Sequence, residues 1–184
     1  MKFLAVQGKD NPNSADGEYQ YDLQLLYSLA YTIKMSKKGT HKIKDYFDFV
    51  VPPLEGFWWQ DGIDGVDYNH KEKFNFISCI RMPEFVTDDV FDWAKKKATA
   101  KKNLDFSSVK LMTLAEGKCV QIMHVGSYDD EPATIEKMHE FIDNHDLTLD
   151  FSKKRRHHEI YLSNPQRTKQ KNLKTIIRLP VREK

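Results

Sequence analysis

The chain has few of the residues that staple or interrupt a fold. Its 184 residues include only 2 cysteines, 8 glycines and 7 prolines. Cys79 and Cys119 show no C-x-x-C spacing and sit in apolar, strand-like segments, so they read as buried reduced thiols rather than a disulfide or a metal site. A surplus of one charge is also lacking. Twenty-nine Lys+Arg against 27 Asp+Glu leave a net charge of +2, which argues against a dedicated nucleic-acid binder. Apolar runs are short: residues 49–54 form one of the longest, and the mean hydropathy is -0.66. A bilayer-spanning helix needs about 20 apolar residues, so none is expected. Lys9 and Asp10 interrupt the opening stretch before a signal-peptide core could form. The sequence therefore predicts a cytoplasmic protein without a membrane partner.

What the chain holds in quantity is aromatic residues: 3 Trp, 8 Tyr and 11 Phe, clustered rather than scattered. With 40% hydrophobic and 30% charged residues, the composition is that of a globular domain, not of a disordered chain. A chain of this length buries roughly 70% of its unfolded surface and needs no staples to fold.

The local patterns alternate between strands and helices. Residues 3–6 read as a strand, and 9–17 as a loop rich in Asn, Asp, Pro and Gly. Leu23, Leu26, Tyr27, Ala30 and Ile33 recur at spacings of three and four, which predicts an amphipathic helix over 18–35 that Gly39 stops. Strands are expected at 46–51, 54–59 and 74–82. Thr87 is a good N-cap, followed by Asp88 and Asp89, for a helix that ends in Lys101-Lys102. Residues 109–114 and 118–125 read as strands joined by a hairpin at Ala115-Glu116-Gly117. Pro132 starts a helix buried through Ile135, Met138, Phe141 and Ile142. Strands at 157–162 and 174–181 close the chain.

Ile80-Arg81-Met82-Pro83 and Ile177-Arg178-Leu179-Pro180 end two strands that follow the same order of elements. The reading is an α+β domain over 1–184, built of duplicated βαββ halves at about 1–83 and 116–181 and bridged by the helix of 87–103. Two antiparallel sheets side by side would leave a concave seam, and such seams bind small ligands.

The richest constellation pairs Leu54-Glu55-Gly56-Phe57-Trp58-Trp59 with His157-His158-Glu159-Ile160-Tyr161-Leu162, on corresponding strands of the two halves. Alternate strand residues share a face. Phe57 with Trp59, and Glu159 with Tyr161, are thus expected to face the seam, although Trp58 is an equal candidate. Aromatic walls with one carboxylate suit a flat, apolar, often cationic ligand. A carboxylate at Glu159, in a strand with Ile160 and Leu162, needs a partner, with His157, Arg156 and Arg178 as candidates. Metal binding is not expected: His157 and His158 point to opposite faces, and His139 and His145 do not share a helical face. No G-x-S-x-G nucleophile or phosphate loop occurs.

The residues Gly117 to Val120, His124-Val125-Gly126-Ser127-Tyr128-Asp129, the run from Glu159 to Pro165 and Ile176 to Val181 resemble the GyrI-like small-molecule-binding family. So do Asp10-Asn11-Pro12, Leu26-Tyr27-Ser28 and Val51 to Trp59, which are similar to its stand-alone members without a DNA-binding domain. The family shares a superfamily with the SOUL haem-binding proteins; no axial-ligand pattern argues for haem here, and no cofactor is expected. The resemblance implies a ligand cleft with Glu159 at its centre, Tyr161 beside it, and Trp58 and Trp59 on the aromatic strand. It departs at Ser127, where Pro is common, and at Asn164, where Asp is common. Some stand-alone members open the strained cyclopropane of DNA-alkylating compounds with such a carboxylate.

Three functions are therefore expected to compete. The first is binding of amphipathic aromatic or cationic molecules by Phe57, Trp58, Trp59, Glu159 and Tyr161. The second is hydrolysis in the same cleft, with Glu159 and Tyr161 catalytic. The third, allowed by the resemblance to a gyrase inhibitor, is a protein–protein inhibitor, which the near-neutral charge disfavours. Exposed strand edges allow a monomer or a homodimer.

Overall fold

The computed structural model describes residues 1–9 and 17–184; most of the expected loop at 9–17, including Asp10-Asn11-Pro12, lies outside the described residues. Over the described residues the architecture is a mixed α+β fold with an eight-stranded antiparallel sheet and three α-helices. The strands are β1 (Lys2–Lys9), β2 (Leu54–Trp59), β3 (Asn75–Met82), β4 (Lys110–Thr113), β5 (Cys119–Val125), β6 (Leu147–Leu149), β7 (His157–Tyr161) and β8 (Lys174–Glu183). The helices are α1 (Glu18–Lys34), α2 (Asp88–Lys102) and α3 (Glu131–Asp143). No helix of the described residues is long and apolar enough to cross a membrane.

The sheet order is β4-β1-β3-β2-β7-β8-β5, with β6 paired to the end of β8. The order β1-β3-β2 on one side is thus mirrored by β5-β8-β7 on the other. The two sides meet where β2 and β7 pair antiparallel, with Gly56 opposite Glu159, Phe57 opposite His158 and Trp58 opposite His157. One continuous sheet results, not the two sheets side by side expected from sequence. The hydrogen bonds of β2 and β7 satisfy each other across the seam, so neither is left as an open edge.

All three helices serve one face. The α1 stripe of Leu25, Leu26, Leu29, Ala30 and Ile33 is fully buried against Leu4, Val6, Phe76 and Ile80. On the other side Met138 and Ile142 of α3 pack on Ile177 and Leu179. Helix α2 follows the sequence reading closely: Thr87 Oγ1 accepts from Val90 N, and Asn103 ends the helix in a left-handed conformation. It packs on α1 through Val90, Phe91, Ala94 and Ala98.

The reverse face is sealed differently. Phe3, Ala5, Phe57 and Cys79 form a small apolar layer there, with Met112 and Leu114 packed on it. The fully buried His158 donates from Nδ1 to Glu116 Oε1 (2.6 Å) and from Nε2 to Glu55 Oε2 (2.9 Å). Arg178 donates to the other Glu116 oxygen at 2.7 Å. Burial alone would lower the His158 pKa, but its bonds to Glu116 and Glu55 outweigh that and hold it above the ordinary histidine range. An imidazolium between two carboxylates is the result.

Two local expectations fail for identifiable reasons. Residues 109–114 and 118–125 do not form a hairpin, because β4 pairs with β1 and β5 with β8, at opposite edges of the sheet. Their connection instead brings Glu116 to His158 on the reverse face. Residues 46–51 do not form a strand. Both edges of β3 are taken, by β1 and β2, so the segment's apolar side chains pack without pairing; Tyr46 and Phe49 lie against Phe85.

Candidate functional site

The seam on the helical face gathers side chains from both sides of the fold. Trp58 on β2 and His157, Glu159 and Tyr161 on β7 share that face, by the register just given and the alternation of strand residues. The first turn of α1 brings Tyr19, and the first residue of α3 is Glu131. The 3₁₀ segment Tyr68–Lys73 brings Tyr68, and the turn before α3 brings Tyr128. Glu131 is 1% exposed, His157 1% and Glu159 7%.

Hydrogen bonds tie these groups into one network. His157 Nε2 donates to Glu159 Oε1 (2.8 Å), and the Tyr161 hydroxyl donates to Glu159 Oε2 (2.8 Å). Trp58 Nε1 donates to the Tyr161 oxygen (2.8 Å). Tyr68 donates to Glu131 Oε2 (2.9 Å). The second Glu131 oxygen is buried without a hydrogen-bond partner among the described residues. Glu131, Glu159 and His157 each offer an atom within 4.8 Å of the others'.

The electrostatics follow from this crowding. Burial, and then the Glu159 charge, push the Glu131 carboxyl up to about 9. A carboxyl group in that state carries a proton at neutral pH. Burial and then the Glu159 charge raise the phenols around it too: Tyr128 to about 12, and Tyr68 and Tyr161 well above the ordinary phenol range. They act as donors and not as phenolates. The compactness of Glu131, His157 and Glu159 would also suit a metal ion, whose binding would displace the Glu131 proton.

Of the five residues singled out in the sequence, Trp58, Glu159 and Tyr161 come together. Phe57 and Trp59 do not: they stand on the reverse face, because β2 places Trp58 level with His157. Phe57 stacks on His158 with centroids 4.0 Å apart, and the Arg156 guanidinium lies 3.5 Å above the Trp59 ring. Among the partners considered for Glu159, His157 is the one found, while Arg178 serves Glu116. Glu131, Tyr68 and Tyr19 escaped sequence reading. The only signal for Glu131 was its place beside Pro132 at the start of a helix, where an acidic residue is usually a helix-dipole device.

Gly56 sets how close this network sits to the strand. A Cβ there would lie 2.6 Å from Trp58 Nε1 and 2.9 Å from the Tyr161 oxygen. Gly56→Ala is expected to break the indole–phenol hydrogen bond and lower stability by about 2 kcal/mol, as overpacking does. Calorimetry with tryptophan emission checks this; an unchanged midpoint and spectrum would show that the site yields freely.

The GyrI-like small molecule binding domain family matches residues 3–182, nearly the whole chain. A crystal structure of an uncharacterized conserved protein from Listeria innocua is 48% identical, with a TM-score of 0.93, covering 99% of this chain and 88% of that one. A hydrolase from Listeria innocua is 47% identical, with a TM-score of 0.89 and coverages of 99% and 87%. The C-terminal domain of EcmrR, at 10% identity and a TM-score of 0.57 over 100% of this chain and 92% of that one, shares the fold alone. No curated protein matches the chain.

Proposed function

The chain belongs to the GyrI-like small-molecule-binding family, and from that premise we propose that its seam hydrolyses small electrophiles. The substrate class is a flat compound whose strained cyclopropane is conjugated to a carbonyl group. One observation carries the reading: the deeply buried Glu131, whose carboxyl is held well above the usual carboxylate range by burial and the Glu159 charge, stands beside Glu159. Paired carboxyl groups in opposite protonation states are the arrangement of an acid and a base working together. The description of a 47% identical protein as a hydrolase supports it.

Trp58 and Tyr161 supply the aromatic wall against which a flat substrate lies. His157 and Tyr161 fix the orientation of Glu159 through its two oxygens, each of which keeps a lone pair for a water proton. Water gives a proton to Glu159 as its oxygen attacks the ring methylene. The strained C–C bond breaks, and its electron pair runs into the conjugated carbonyl. The oxygen that becomes anionic takes the Glu131 proton. Proton return from Glu159 to Glu131 resets the pair, and the net change is addition of one water. Should the compound not react, the same rings and the Glu159 carboxylate would retain flat amphipathic cations.

A pH–rate profile tests the assignment. The acid form of Glu131 is the active one, so kcat is expected to stay level through neutrality and fall as pH rises past about 9, where that carboxyl ionises. Glu131→Gln should lower kcat about 100-fold and remove the alkaline limb, and chelators should leave both proteins unchanged. An alkaline limb that survives in Glu131→Gln would take the proton-donor role from this residue.

A further inference from the structure

A cavity lies away from the seam, in a groove of about 760 Å³ between α1 and α2. It is of the size that ligand sites occupy. Tyr27 and Tyr31 on the exposed side of α1, and Met35 just past its end, line one wall, and they are 37%, 51% and 38% exposed. Large side chains left open side by side are unusual on a helix and mark an interaction surface. The opposite wall is Trp93, on which His41 stacks with centroids 4.2 Å apart.

The charge around these rings has one sign. Lys38, Lys97, Lys101 and Lys102 line the groove, and no Asp or Glu does so among the described residues. Lys102 donates to Ser28 Oγ at 2.9 Å. None of the four lysines makes an ion pair among the described residues, although Lys34 and Lys37 nearby are held by Asp48. Unneutralised cations over an aromatic slot suit a planar ring bearing a negative group, with the ring against Tyr27, Tyr31 or Trp93 and the anion among the lysines. The geometry points to this groove as a second binding site, for small aromatic anions. Its charge preference is opposite to that of the carboxylate-centred seam.

Anilinonaphthalenesulfonate titrated into the full chain, followed by fluorescence, tests this. Phenylnaphthylamine serves as the uncharged analogue. The sulfonate is expected to saturate one site and to bind about tenfold more tightly than the amine. Lys97→Glu with Lys101→Glu should weaken the sulfonate about tenfold while leaving the amine and the thermal midpoint alone, and Tyr31→Ala should weaken both probes. Glu159→Gln should leave sulfonate binding unchanged. Equal affinity for both probes, sulfonate binding indifferent to the lysine changes, or loss of the site in Glu159→Gln would each overturn the assignment.

Discussion

Glu159→Gln is expected to abolish turnover, with kcat reduced about 1,000-fold and the fold intact. The amide fits the same space and can still accept from Tyr161 or His157, but it cannot take a proton from attacking water. Loss of a positioned general base costs about 10²–10⁴ in rate. The Glu159 charge is also one of the causes that keep Glu131 protonated, so removing it lets the Glu131 pKa fall. Both halves of the acid–base pair are therefore damaged by one change, and adding Glu131→Gln should cost much less than it does in the wild type. Steady-state kinetics on both variants and the double variant checks this. Full additivity would separate the two carboxyl groups into unrelated roles.

His158→Leu is the substitution with the largest expected cost in stability. It would leave the buried Glu55 carboxylate without a cation, while the half-buried Glu116 would keep only Arg178. Breaking a buried pair by removing one partner costs about 3–5 kcal/mol, and for a chain of this size that lowers the midpoint by about 10 °C. The pH dependence carries a sign. The folded pKa of His158 lies above its ordinary value of 6.5, so the stabilisation is fully present below that value and fades as pH climbs through the higher, folded one. In His158→Leu that alkaline fading should vanish. Denaturant melts across pH measure both effects, and a midpoint unmoved by the substitution would mean that the carboxylates find other partners.

The parts of this fold that read from sequence are those set by local chemistry. Helix α2 announces itself through Thr87, Asp88 and the lysines at its end, and apolar spacing gives α1 but only part of its stripe: Leu26, Ala30 and Ile33 are buried as expected, whereas Tyr27 is exposed and Leu25 and Leu29 take the core positions. The hairpin at residues 115–117 was misread because a short gap between two strands is the usual signal for pairing, while the actual partners, β1 and β8, are remote in sequence. The facing of Trp58 depended on the β2–β7 register, and a shift of one residue exchanges Trp58 for Phe57 and Trp59. No local pattern sets that register. Glu159 was legible because a carboxylate among apolar strand residues demands an explanation. Glu131 was not, because acidic residues at helix starts are common, and only its burial beside Glu159 distinguishes it.

The most direct test of a hydrolytic seam is a turnover experiment in ¹⁸O-water, with an aromatic cyclopropyl ketone in large excess over the protein and mass spectrometry of both. A catalytic acid–base pair predicts many product molecules per protein, each carrying one ¹⁸O on the carbon of the opened ring, with the protein mass unchanged. A single equivalent of product, or a protein heavier by the mass of the compound, would instead show that a side chain is the nucleophile and that the protein traps such electrophiles without hydrolysing them.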